Sequence, residues 1–324
     1  MLWILLSLAL GSAPHDEVRG VTISTPTYGP EWGTPQMERT LDRLAELGVN
    51  WIAYHPYARV RRDGSVVGWG DPSQPPDWVL FPIEAAHERG IKVLVKPHLA
   101  HWGSGFSWRG EIEFPDPQAE ARFFREYQAW ITGLAAACSD ADAFVVGTEL
   151  DKTTGNEAAW REVIASVRRV NSGHLTFASN WDRYADVPFW DALDAIGIQA
   201  YFPLVTAQQV PRGQAPTTEQ LSAGWDRVLS KVRQVSERTG KPVIFTELGY
   251  DASPTAAHEP WASGRGGEAV QERALSVALR RIHQEPAVRG VFLWKWFPGE
   301  VARGDFRLSR PEVQALIERA WSAE

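Results

Sequence analysis

The chain has 324 residues, 44% hydrophobic and 23% charged, a balance that excludes wholesale disorder, a collagen-like fibre and a coiled coil. Its formal charge is -7, from 33 Lys and Arg against 40 Asp and Glu, and no run concentrates the basic residues, which argues against nucleic acid as a partner. A single cysteine, Cys138, excludes an intramolecular disulfide and the multi-cysteine zinc sites; it reads as a small buried apolar residue near a helix end.

Residues Leu2 to Leu10 are apolar apart from Ser7 and run into Gly11, Ser12 and Ala13, the pattern of a short secretory signal without a basic lead-in and with Pro14 just behind it. The expected division is a signal at 1–13 and one domain at 14–324, secreted or periplasmic if the signal operates and cytoplasmic otherwise. No later segment reaches the roughly 18 to 20 uninterrupted apolar residues of a membrane helix. From Val18 onward a short β-branched or aromatic run, a turn and a stretch of helical period recur. The strand candidates are Val18 to Ser24, Trp51 to Pro56, Lys92 to His98, Ala143 to Glu149, Leu175 to Asn180, Ala195 to Phe202, Val243 to Glu247 and Val291 to Trp296. Helical period is clearest at Thr34 to Leu47, Asp116 to Ala137, Glu157 to Val170, Thr218 to Thr239, Gly267 to Gln284 and Pro311 to Ala320. Gly48, Gly90 and Gly240 each stand where a helix should stop before the next strand.

Eight such units with no Pro-, Ser- or Gly-rich linker between them predict a single α/β domain, a closed (β/α)₈ TIM barrel. The dinucleotide fingerprint and the P-loop are both missing, and Gly264, Arg265, Gly266 and Gly267 before a helix read as a flexible loop rather than a phosphate cradle. No cofactor is expected.

In such a barrel the reactive groups belong at the C-terminal strand ends. The fourth strand runs through Val145, Val146, Gly147 and Thr148 to Glu149, and the seventh through Ile244, Phe245 and Thr246 to Glu247; both end in Thr-Glu-Leu. A side-chain period of two puts Glu149 on the face of Val145 and Gly147, and Glu247 on that of Val243 and Phe245, so both carboxylates can point inward. Two carboxylates across a cleft are what glycoside hydrolysis needs, one to protonate the leaving oxygen and one to act as nucleophile or base.

The chain resembles the retaining glycoside hydrolases of the large (β/α)₈ clan and, more narrowly, glycoside hydrolase family 113, whose members include β-mannanases. The motifs that carry this are Lys96-Pro97-His98, Trp108-Arg109-Gly110, Gly147-Thr148-Glu149, Ser179-Asn180-Trp181, Pro188-Phe189-Trp190-Asp191, Ala200-Tyr201-Phe202-Pro203 and Phe245-Thr246-Glu247-Leu248-Gly249-Tyr250. The resemblance implies Glu149 as acid/base, Glu247 as nucleophile, and endo-acting hydrolysis of a β-linked hexose polysaccharide such as β-1,4-mannan by double displacement. It also exposes a departure: Thr148 stands where most of the clan has Asn for the sugar 2-hydroxyl, and Asn180 is the candidate replacement.

Supporting residues follow from strand position. Tyr201 can hydrogen-bond Glu247 from the neighbouring strand end, or be a buried Tyr satisfied by backbone. Trp294 and Trp296 share a face with Lys295 on the other, so either can be the platform under the sugar or part of the core. A heavy load of Trp, 16 in all, suits ligands with apolar faces, and Trp102, Trp108 and Trp181 are candidates for outer subsites. Lys96 and His98 share a face of the third strand and are expected in the substrate site. His55, His98 and His101 also permit a metal site, which leaves a metal-dependent hydrolase and a non-catalytic carbohydrate-binding barrel as rivals.

Overall fold

The computed structural model describes residues 17–299 and 305–322, so the expected signal at 1–13 lies outside the described residues. Eight parallel strands close into a barrel: β1 (Val18–Ile23), β2 (Trp51–Tyr54), β3 (Lys92–Val95), β4 (Ala143–Thr148), β5 (His174–Asn180), β6 (Ala195–Gln199), β7 (Val243–Leu248) and β8 (Val288–Trp296). Each pairs with its sequence neighbour, and β8 closes on β1.

Among the described residues seven α-helices wrap it: α1 (Pro35–Glu46), α2 (Asp77–His87), α3 (Pro117–Ala137), α4 (Glu157–Val170), α5 (Thr218–Thr239), α6 (Glu268–His283) and α7 (Pro311–Trp321). One of the eight expected strand-helix units, the fifth, is therefore incomplete: between β5 and β6 the chain makes two single 3₁₀ turns, Tyr184–Asp186 and Trp190–Ala192. Local chemistry sets the ends of the others. Asp116 accepts the Gln118 N–H at the start of α3, and Thr217 with Gln220 forms a capping box on α5. Gly240 ends α5 at φ 68°, and Gly48 and Gly90 also take positive φ. None of the described helices is long and apolar enough to cross a membrane.

Two apolar clusters divide the interior. One, built from strand residues alone, fills the barrel with Ala53, Leu94, Ala143, Val145, Ala178 and Phe292. Phe292 takes the space that a side chain at Gly20 would need, since a Cβ there would meet its ring at 2.5 Å. The larger cluster packs the outer faces of the strands against the helices and includes Cys138, which is free and fully buried.

Beyond the C-terminal ends of β2 and β3 a small second sheet forms. Tyr57–Val60 pairs antiparallel with Val66–Val67 and parallel with His98–Ala100. Its pairing sets Tyr57 opposite His98 and so fixes both beside the barrel mouth.

Candidate active site

Glu247 is the most enclosed carboxylate of the barrel mouth, at 3% exposure. Lys96 Nζ donates to its Oε1, and the Tyr201 hydroxyl donates to Oε2 at 2.6 Å. His98 Nε2 stands 3.8 Å from Oε1 with no hydrogen-bond partner among the described residues. Lys96 itself is fully buried. Burial pulls its pKa below the ordinary lysine value, and the Glu247 charge works in the opposite direction. Tyr201 is pushed well above its ordinary value, by burial first and then by the adjacent Glu247 charge, so it stays a neutral donor.

Glu149 follows β4 directly, with its backbone N–H on the Ala178 carbonyl at 2.8 Å and a φ of 57°, the left-handed region that non-glycine residues rarely adopt. Arg109 reaches its Oε2 with Nε at 2.9 Å and a terminal nitrogen at 2.7 Å. Burial disfavours the Arg109 charge, but Glu149, Tyr57 and Glu247 outweigh it and its pKa is raised. Lys96, Arg109 and Tyr201 each feel the charge of both Glu149 and Glu247, so the two carboxylates face one electrostatic centre.

Simple alternation does not deliver this convergence. On β4, Val145 lies in the barrel interior, but a Cβ at Gly147 would meet Trp160 and Phe177 of the outer core, so those two residues do not share a face. Between Val145 and Thr148 the strand carries one residue more than β5 does from Thr176 to Ala178, and this bulge, followed by the left-handed Glu149, re-aims the carboxylate. On β7, Val243 and Phe245 belong to the outer core while Ile244 packs against the interior cluster. One extra residue between Phe245 and Glu247 relative to β6 then returns Glu247 to the mouth. The face-sharing expected from the sequence is thus corrected for both residues.

A third irregularity separates the two tryptophans of β8. Thr22 and Ile23 are neighbours on β1, yet they pair with Trp294 and Trp296, so Lys295 is the extra residue. Trp294 consequently joins the site, with its ring 5.0 Å from Lys96 Nζ, 5.5 Å from the His55 ring and 6.3 Å from the His98 ring. Trp296 packs with the main core instead of sharing that face, which corrects its expected pairing with Trp294. Lys295 reaches Asp305 at 2.6 Å.

Thr148 is occupied internally, donating to the Pro97 carbonyl at 2.9 Å. Asn180 is held by Asp151, which accepts its Nδ2 at 2.6 Å and also the Ser179 hydroxyl. Of the outer tryptophans, Trp102 and Trp108 are exposed, with Trp102 5.6 Å from Tyr57 and Trp108 laid over Gly110. Trp181 is half-buried and stacks on Trp261. Sequence patterns assign no role to Arg109, Asp151 or Trp261. Arg109 stands inside one of the family motifs; Asp151, two residues past Glu149, carries no signal of its own.

His55 and His98 stack at 4.6 Å and 10°, with His55 Nε2 3.1 Å from the Ser24 hydroxyl. No group of three or more His, Cys, Asp or Glu among the described residues is placed to hold a metal ion. Burial, with the nearby Lys96, Lys295 and Arg109 charges, holds both imidazoles well below the ordinary histidine value. The unfolded chain takes up protons as pH falls through about 6.5 while these rings stay neutral, so stability is lost with acidity, by up to about 1.4 kcal/mol per pH unit per ring. Melting temperatures measured from pH 7.5 to 5.5 should fall, and fall less steeply in His55→Asn. An unchanged slope would contradict the assignment.

The chain is similar over most of its length to several solved structures. The β-mannanase AaManA of Alicyclobacillus acidocaldarius, solved in complex with ManMIm, is 26% identical with a TM-score of 0.80, covering 95% of this chain and 97% of that one. A second β-1,4-mannanase is 21% identical at the same TM-score, covering 95% of this chain and all of the other. A β-D-glucuronidase of Dictyoglomus thermophilum, at 17% identity and a TM-score of 0.65, covers 95% of this chain but 51% of that one and shares the fold. No curated protein matches the sequence. The sequence pattern of Glycoside Hydrolase Family 113 matches residues 21–303, which run from within β1 to past β8, and the protein is therefore a glycoside hydrolase of family 113.

Proposed function

We propose that the protein is a retaining endo-β-1,4-mannanase in which Glu247 is the nucleophile and Glu149 the acid/base. The observation that carries this is the asymmetry of the two carboxylates. Glu247 is gripped at both oxygens by Lys96 and Tyr201, as an atom that must attack along one line requires. Glu149 is gripped at Oε2 by Arg109, and no described residue hydrogen-bonds its Oε1, which suits an atom that exchanges a proton with a leaving group and then with water.

In the first step Glu247 bonds to the anomeric carbon as the glycosidic bond breaks, and the proton of Glu149 goes to the departing oxygen. In the second, Glu149 takes a proton from water while that water's oxygen displaces Glu247. Trp294 lies beneath the ring at the cleavage point, presenting an apolar face to its C–H groups. The Asp151-held Asn180 supplies a hydrogen bond to a sugar hydroxyl, serving in place of the residue that Thr148 replaces. Residues 1–13 are proposed as a secretory signal, which would bring the enzyme to a polymer outside the cell.

The direct test offers β-mannan, xylan, β-glucan and β-galactan to the enzyme, with and without chelator, and follows the first product by proton NMR. Early release of the β-anomer from mannan, indifferent to chelator, is the expected result. The α-anomer would require an inverting mechanism and would overturn the roles given to both glutamates.

A further inference from the structure

The bulge that turns Glu247 into the mouth depends on one extra residue of β7, Thr246, which stands between Phe245, paired with Ile198, and Glu247, paired with Gln199. Thr246 has no register partner on β8 either. An unpaired residue in a strand is not held by the ladder, so the shape of the bulge rests on whatever else that residue touches. Thr246 is fully buried and is held at two points: its hydroxyl donates to Gln199 Oε1 at 2.9 Å, and its carbonyl accepts from Lys96 Nζ at 3.4 Å. Just beyond it, the Glu247 carbonyl accepts the Ala200 N–H at 2.7 Å.

Gln199 ends β6. Ile196 and Ile198 of that strand pack in the outer core, and β6 pairs with β5 without a break from Ala195 to Gln199, so alternation turns the Gln199 side chain to the barrel interior. There it is fully buried, and the bond to Thr246 is the one hydrogen bond its amide makes to the described residues. A methionine would fill similar space without burying an amide, so the hold on the bulge is what glutamine supplies at this position. The Gln199 carbonyl also accepts the Tyr201 N–H at 2.9 Å, at the turn that brings the Tyr201 hydroxyl to Glu247. That second contact is made by the backbone and does not depend on the side chain.

We propose that Gln199 is a positioning residue for the nucleophile: by holding the Thr246 hydroxyl it fixes the β7 bulge and with it the line along which Glu247 attacks. This rests on the role given to Glu247 above. Lys96 and Tyr201 orient the carboxylate at its oxygens, whereas Gln199 acts on the backbone that carries it. A displacement of about 1 Å in a reacting atom costs roughly a hundredfold in rate. Such an error falls on bond formation rather than on the contacts that bind the sugar.

Three variants test this. Thr246→Val keeps the shape and loses the hydroxyl, Thr246→Ser keeps the hydroxyl, and Gln199→Met keeps the length and loses the amide. Each is treated with a dinitrophenyl 2-deoxy-2-fluoro-β-bioside of the sugar whose polymer the wild type cuts, a reagent that loads the nucleophile and stops there, so that the burst of released phenol counts the active sites. Per active site, trapping should slow roughly 10- to 100-fold in Thr246→Val and Gln199→Met, and kcat on the polymer should fall with little change in KM. The double variant should be no slower than either single one, because both changes break the same bond, and Thr246→Ser should stay near the wild type. Trapping within about twofold of the wild type, a loss confined to the number of active sites, or additive losses in the double variant would each overturn the inference. Should one of the two slowed variants fail to fold, the other set against Thr246→Ser decides alone. A wild-type label found by peptide mass on a residue other than Glu247 would overturn the nucleophile assignment itself, and this inference with it.

Discussion

Glu247→Ala is expected to abolish turnover on every substrate, because no covalent intermediate can form without it, whereas Glu149→Ala should lose roughly 10²- to 10⁴-fold on mannan and far less in the first step on an aryl glycoside whose leaving group needs no proton. Azide distinguishes the roles further. In Glu149→Ala the anion replaces the lost base and attacks the glycosyl-enzyme, which yields the β-glycosyl azide. In Glu247→Ala it occupies the nucleophile's own face and yields the α-azide. Product anomers read by NMR settle the matter: interchanged products would mean that the two residues had exchanged roles, and full activity in either variant would place the chemistry elsewhere.

Lys96→Met should be the most destabilising substitution in the site. Lys96 and Glu247 are both buried, and removing one partner strands the other charge away from bulk solvent, a loss of about 3 to 5 kcal/mol. Tyr201→Phe removes one hydrogen bond to a charged group and should cost less, about 1.5 to 3 kcal/mol. The double variant Lys96→Met with Glu247→Gln leaves no unpaired charge and should recover much of the stability lost in Lys96→Met alone. Urea unfolding of these variants and of Glu247→Gln measures this directly. Simple additivity of the two single changes would show that the pair is not coupled.

Much of the fold and of the site is legible in the order of the amino acids, for reasons that differ by residue. Period and punctuation are local, so Gly48, Gly90 and Gly240 announce helix ends, and the runs into Glu149 and Glu247 announce strands that end in carboxylates. Gly90 marks the end of helix α2, but its start is hidden because Trp78 to Ile83 is apolar almost all round and carries Pro82, which masks the helical period. The missing helix after β5 is hidden for the opposite reason: two 3₁₀ turns bury Tyr184 and Trp190, and buried aromatics at short spacing imitate an amphipathic stretch.

The sequence by itself determined which residue types stand at the strand ends, because strand identity follows from local hydrophobic pattern and the closed order of eight strands from their regular recurrence. Tertiary structure alone decided which way those residues point. The bulges before Glu149, before Glu247 and at Lys295 exist only in register with a neighbouring strand, and each inverts the faces that a period of two assigns. It likewise decided that Arg109 meets Glu149 across 40 positions and that Lys96 meets Glu247 across 151, since contacts between separate strands and loops depend on barrel closure and leave no trace in local spacing.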